Sequence, residues 1–260
     1  MPRFAANLSM MFTELPFLDR FGAAANTGFS GVEYLFPYDH PASDLRERLD
    51  AAALEQVLFN LPAGDWAGGE RGLAALPGRE AEHRAGVGVA LDYATVLGCR
   101  RLHMMAGVVP EDADLADCES VYLDNLRHAA AEAARCGVMI LIEPINPVDM
   151  PGYFLTGQAQ ARRLLVAAGA ENVRIQLDFY HCQMSEGRLA DALHEQWPHL
   201  GHVQVAGVPG RHEPDGDNEI NWPWLFAELD RRGYEGWIGC EYRPRAGTLQ
   251  GLGWLGHIGR

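Results

Sequence analysis

The chain predicts an α/β fold and, within that class, a single (β/α)8 barrel. Three observations carry this. Short apolar runs alternate with helical patterns along the whole chain, the order that builds a parallel sheet. Eight such units in 260 residues come to about 32 residues each, the scale of a closed barrel. The alternative, a doubly wound sheet, asks for a glycine fingerprint after the first strand. The stretch AANLSMMF has none, and GVGVAL at 86–91 lies inside a helical pattern.

The elements follow in order. RFAANLS (3–9) is the first strand, and an apolar-periodic helix runs from Phe17 to Thr27, stopped by Gly28. GVEYLF (31–36) is the second strand, with a charged helix near 43–53. LEQVLFNLP (54–62) is the third. A Gly-rich segment follows at 62–78 and then a helix near 79–97. A structureless stretch of that length, on the face shared by the βα loops, is expected to be a lid, and it carries Trp66, Glu70 and Arg71. RRLHMMAG (100–107) is the fourth strand, followed by a helix near 115–135. Strands five to eight are GVMILIEP, VRIQLDFYH, LGHVQVAG and EGWIGCEY, with helices near 157–168, 186–197 and 221–232. One domain over 1–260 is expected, with no linker or low-complexity run.

Composition narrows the function. With 48% hydrophobic residues the chain can bury one large core. A net charge of -14 disfavours nucleic acid as a partner. Cys99, Cys118, Cys136, Cys182 and Cys240 are scattered, odd in number and without a C-x-x-C pair, which fits a reducing compartment. The first residues do not read as a signal peptide, and no run of about 18 apolar residues offers a membrane span. A cytoplasmic enzyme with a small-molecule substrate is expected, with association into a homo-oligomer left open.

The last four strands hold the chemistry. Glu143, Asp178, Gln204 and Glu241 stand at their ends, separated by 35, 26 and 37 residues. Parallel strands laid side by side bring these four to the C-terminal edge of the barrel. Three carboxylates and an amide are oxygen donors and suit a hard cation. Acids set among Ile, Leu, Val and Cys are costly to bury without a partner. Glu33 has no accompanying motif and reads as a structural acid. His181, three residues past Asp178, reads as a loop residue facing substrate. Arg211 offers a guanidinium clamp for a planar anion. Asn7, Asn60 and Glu70 are further candidate substrate contacts. The acidic stretch HEPDGDNE lacks calcium-loop spacing, and no serine elbow, H-E-x-x-H or phosphate loop is present.

These residues sit in longer matching stretches: FAANLSMMF, FPYDHP, LPAGDWAGGERGLAALPGRE, LIEPIN, QLDFYH, GHVQVAG, HEPDGDNEINWPWLF and GWIGCEYRP. On these the chain resembles the hydroxypyruvate isomerase family, within the xylose-isomerase-like barrels that also include ketose 3-epimerases. The resemblance implies a (β/α)8 barrel with Glu143, Asp178, Gln204 and Glu241 around a divalent ion. It implies that Glu143 and Glu241 move the proton. Many relatives carry His where this chain has Gln204, and an amide oxygen there favours Mg²⁺ or Mn²⁺.

The expected reaction interconverts hydroxypyruvate and tartronate semialdehyde through an enediolate. Relatives also isomerise 2-oxo-tetronate, one carbon longer, and LPAGDW and LIEPIN are more like the hydroxypyruvate branch. The rival readings are a metal-dependent AP endonuclease, an inosose-dehydratase-like lyase and a non-catalytic sugar-acid-binding barrel.

Overall fold

A computed structural model describes residues 3–257, so the expected domain limits at 1 and 260 lie outside the described residues. Eight parallel strands close into a barrel in chain order, with β1 bonded to both β2 and β8. The strands are β1 (Arg3–Asn7), β2 (Gly31–Glu33), β3 (Glu55–Asn60), β4 (Arg101–His103), β5 (Met139–Ile142), β6 (Val173–Asp178), β7 (Leu200–Val205) and β8 (Trp237–Cys240). The helices are α1 (Arg20–Asn26), α2 (Ala42–Ala52), α3 (Glu80–Leu97), α4 (Leu115–Arg135), α5 (Gln158–Ala168), α6 (Phe179–Ser185), α7 (Leu189–Gln196), α8 (Trp222–Arg231) and α9 (Thr248–Gly251).

The outer helices form for local reasons and dock for tertiary ones. In α4 the Asp114 carboxylate caps the Ala116 N–H at 2.8 Å. Its buried positions, Cys118, Tyr122, Leu126, Ala129 and Ala133, recur every three or four residues and put one stripe on the barrel. Two stretches differ from the sequence reading. The first helix begins as a 3-10 turn at Phe17–Asp19. The expected helix at 186–197 is α7, preceded by an unexpected α6 directly after β6. Asp178 starts α6 by accepting the Tyr180 N–H at 2.7 Å, so His181 lies in a helix and not in a loop.

The two barrel ends differ. At the N-terminal end the Trp237 indole donates to Glu55 at 3.0 Å, under the Arg3 guanidinium. A Cβ on Gly31 would sit 2.8 Å from that ring, so β2 begins with the one residue that admits it. At the C-terminal end every strand finishes on or beside a buried polar residue: Asn7, Glu33, Asn60, His103, Glu143, Asp178, Gln204 and Glu241. Register aligns them, pairing Asn7 with Glu33, Asn60 with His103 and Asp178 with Gln204. Among the described residues no helix is long and apolar enough to cross a membrane.

Candidate active site

The ring of strand ends floors a cavity of about 580 Å³. Its walls hold seven of the eight ring residues, and the eighth, Asp178, reaches it through Arg211. A concave site with convergent polar groups at this end of a barrel is where chemistry is expected.

Glu143, Asp178 and His181 each place one ligand-type atom within 4.8 Å of the others. One Glu143 oxygen, Oε1, is buried without a hydrogen-bond partner, while Oε2 lies 3.6 Å from His103 Nδ1. The Asp178 Oδ2 atom faces Arg211 Nη2 at 3.5 Å and His181 Nε2 at 3.7 Å. Glu241 is drawn to the same guanidinium at 3.4 Å and stays outside the three-residue group. Gln204 lies between two partners: its amide nitrogen donates to Glu33 at 2.7 Å and its oxygen accepts from Gln176 at 2.6 Å.

The electrostatics are those of too much negative charge in too little water. Burial, with Glu241 and Asp178 nearby, pushes the Glu143 carboxyl well above the usual range. Burial raises Asp178 to about 6 against the pull of Arg211 and two backbone N–H groups. Burial raises Glu241 to about 8, again opposed by Arg211. Burial works against the Arg211 charge, but Glu241, Asp178 and Glu143 outweigh it and raise its pKa. Arg211 also lies 4.9 Å over the Tyr180 ring. Its backbone is left-handed at φ 56, a conformation held by the bond from Arg243 N–H to its carbonyl at 2.8 Å.

Burial, then Arg211 and His103, hold His181 well below the usual imidazole range, so it is neutral. Both of its ring nitrogens face hydrogen-bond donors. Asn146 Oδ1 accepts the N–H groups of Val148 and Asp149, which turns its NH2 towards His181 Nδ1 at 2.7 Å. Nδ1 faces that amide donor, and Nε2 faces Asp178 Oδ2 at 3.7 Å and the Arg211 Nη2 donor at 3.2 Å. His103, which burial lowers to about 3, donates from Nδ1 to Asn60 at 3.2 Å.

A divalent cation fits this donor set. It would meet a partnerless carboxylate oxygen and three acids whose charge burial disfavours, with the half-buried Arg211 among them.

The other expected contacts divide. Asn7 lines the cavity and donates to Glu33 at 3.2 Å, and Asn60 lines it beside His103. Glu70 is not among the lining residues. Its carboxylate accepts from the Asp65 N–H and pairs with Arg79, so it ties the loop together, while its neighbours Trp66 and Arg71 reach the cavity. Glu33 is a hub, bonded to Asn7, Gln204 and His202, the last at 2.8 Å. The sequence reading missed His103, Gln176, Asp149 and Arg243 in the cavity wall. His103 had a signal, since it ends its strand as Glu143 and Asp178 do, whereas Gln176 and Arg243 had none.

A family model for the xylose isomerase-like TIM barrel matches residues 21–257. The chain belongs to that family. Within the family it is 60% identical over 255 residues to a 2-oxo-tetronate isomerase of Cupriavidus necator, covering 98% of each chain. It is 45% identical over 255 residues to the hydroxypyruvate isomerase of Escherichia coli, again covering 98% of each. A solved structure described as AP endonuclease, family 2, from Brucella melitensis superposes with a TM-score of 0.96 at 50% identity over 99% of both chains. A 3-keto-D-glucoside 4-epimerase from E. coli, 23% identical with a TM-score of 0.82, shares the fold. The family's barrel, closed and eight-stranded, is the one described above.

Proposed function

We propose that the protein is a keto-acid isomerase that interconverts hydroxypyruvate and tartronate semialdehyde (2-hydroxy-3-oxopropanoate). The observation that carries this is the pair of buried glutamates, Glu143 and Glu241, on two strand ends flanking Arg211 and Asp178. The names of the full-length relatives support it.

The reaction moves one hydrogen between neighbouring carbons. A carboxylate takes a proton from C3, and the electron pair forms the C2–C3 double bond of an enediolate. Return of a proton to C2 and passage of the C3 hydroxyl proton to the C2 oxygen leave the aldehyde. Glu143 and Glu241 suit this work because burial makes each, once ionised, a stronger base than an exposed carboxylate. The Arg211 guanidinium, 3.2 Å from His181 Nε2, is placed to donate to the substrate oxygen that gains charge. Mg²⁺ or Mn²⁺ held by Glu143 and Asp178, with Gln204 and Glu241 beside them, would supply further positive charge against those oxygens.

A second reading differs only in substrate. In 2-oxo-tetronate the same C2–C3 exchange occurs with a hydroxymethyl group on C3, and the 60% identical relative carries that name. The cavity is several times larger than either acid and admits both. A DNA-directed role has little support: the net charge is -14, and the one cluster of metal-ligand type among the described residues contains a single histidine.

The test is a proton NMR time course in D₂O on chelator-stripped protein given Mg²⁺ or Mn²⁺. Aldehyde formation from hydroxypyruvate with deuterium at carbon supports the first reading. Turnover of 2-oxo-tetronate alone selects the second. Inertness towards both sinks the isomerase.

A further inference from the structure

An anionic substrate must enter a cavity ringed by Glu33, Glu143, Asp178 and Glu241, and Arg211 cannot welcome it alone. That guanidinium already serves two carboxylates. Two other cations line the same cavity, Arg71 in the 62–78 loop and Arg243 just past Glu241. Among the described residues, neither has a carboxylate within ion-pair distance.

Arg71 is held in place without being neutralised. Its guanidinium lies 4.1 Å over the Trp66 ring, and Trp66 packs edge-on against Phe36 at 4.9 Å. Only its Nη1 is used, donating to the carbonyls of Trp66 and Glu70 at 3.0 and 2.7 Å, which leaves Nε and Nη2 for a ligand. The next residue, Gly72, fixes the chain. Its φ is +113, its N–H bonds to the Ala63 carbonyl at 3.0 Å, and a Cβ there would lie 2.4 Å from the Met105 carbonyl. Glu70, beside it, is tied to Arg79 and so does not quench Arg71.

We infer that Arg71 receives the carboxylate of the keto acid at the cavity rim, assisted by Arg243. This orients the substrate so that C2 and C3 lie deeper, towards Glu143 and His181. The inference rests on the keto-acid isomerase reading and makes Arg71 a specificity-determining residue for the acid group. A planar guanidinium with free Nε and Nη2 edges matches a carboxylate bidentately. A cation already placed by stacking loses little freedom on binding.

The test compares acids with neutral counterparts in the wild type, Arg71→Met, Arg71→Lys and Arg243→Met. The first assay is isomerisation of hydroxypyruvate and of dihydroxyacetone, in which a hydroxymethyl group replaces the carboxylate. The second is calorimetric titration with pyruvate, which lacks the hydroxyl, and with neutral hydroxyacetone. Arg71→Met should raise KM for hydroxypyruvate about tenfold or more, with kcat within about twofold. It should weaken pyruvate binding by a similar factor and leave dihydroxyacetone and hydroxyacetone unchanged. Arg71→Lys should fall between, and Arg243→Met should show a smaller change of the same kind.

An unchanged KM and pyruvate affinity in Arg71→Met would overturn the inference while the isomerase stands. Equal losses for acid and neutral ligands would overturn it too, because they indicate a displaced loop. If the wild type isomerises neither acid, the functional reading fails. The pyruvate titration then still decides whether Arg71 binds a carboxylate, and absence of wild-type binding counts against it.

Discussion

At the scale of single residues, the site is an arrangement of acids that is unfavourable by itself. Glu143→Gln and Glu241→Gln keep shape and hydrogen-bonding reach but cannot take a proton. Each should cut turnover by about 10²–10⁴-fold in a steady-state assay while circular dichroism stays unchanged. Glu143→Gln should also raise the Tm of metal-stripped protein, since it removes a buried acid crowded by Glu241 and Asp178. Asp178 separates two roles. Asp178→Asn keeps an oxygen to cap α6 and should preserve the helix with weakened Mn²⁺ binding. Asp178→Ala should lose the cap as well, at a further cost of about 1 kcal/mol by denaturant melt. These acids were legible because a charged residue ending an apolar run has few explanations. The Arg211 ion pairs were not, because a guanidinium seven residues past a strand end can point anywhere until the loop is built.

At the scale of elements, glycines show where backbone and side chain compete for space. A Cβ on Gly239 of β8 would lie 2.4 Å from both Glu33 oxygens, so β8 leaves room for the acid that holds Gln204. Gly239→Ala should destabilise the protein by about 1–3 kcal/mol, seen as a fall in Tm. The 62–78 segment shows the same principle in a loop. Its inner part, Leu73 to Ala75, is buried, and the Asn125 amide donates to the Ala74 carbonyl at 3.0 Å. The exposed turn at 65–69 is where limited proteolysis should cut first. The length and glycine content of this segment marked it as unusual from sequence. Which of its polar residues turned inward was not marked, and Arg71, rather than Glu70, reaches the cavity. Helix α6 escaped because its start signal, Asp178, was read as a ligand and is also a cap.

For the whole molecule, the pKa shifts set a pH dependence with a definite sign. Glu241 is raised to about 8 and Asp178 to about 6, above unfolded values of about 4. These acids make stability fall as pH rises, whereas His83 of α3, His103 and His181, all held below the usual imidazole range, make it rise up to the unfolded histidine value of about 6.5. Above that value the acids act alone, and the Tm of stripped protein should decline from about pH 7 to pH 8. Added Mn²⁺ competes with those protons and should restore stability most at the upper end. A stripped protein whose Tm rises over that range would contradict this electrostatic picture. The net charge of -14 is a property of the whole surface, and it makes a local cation necessary for an anionic substrate.

The sequence by itself determined the alternation of strands and helices, the closure into eight units and the strand-end positions of Glu143, Asp178, Gln204 and Glu241. Periodicity and apolar run length are local, and they survive without knowledge of contacts. Tertiary structure decided the rest. Register set Asn7 beside Glu33 and Asp178 beside Gln204. Closure brought residues as distant in sequence as Glu33 and His202 to 2.8 Å. The left-handed turn at Arg211 put one cation among the acids, and Gly72 and Trp66 held another at the rim. Those outcomes depend on which side chains meet across the barrel, and that is settled only when the chain has closed.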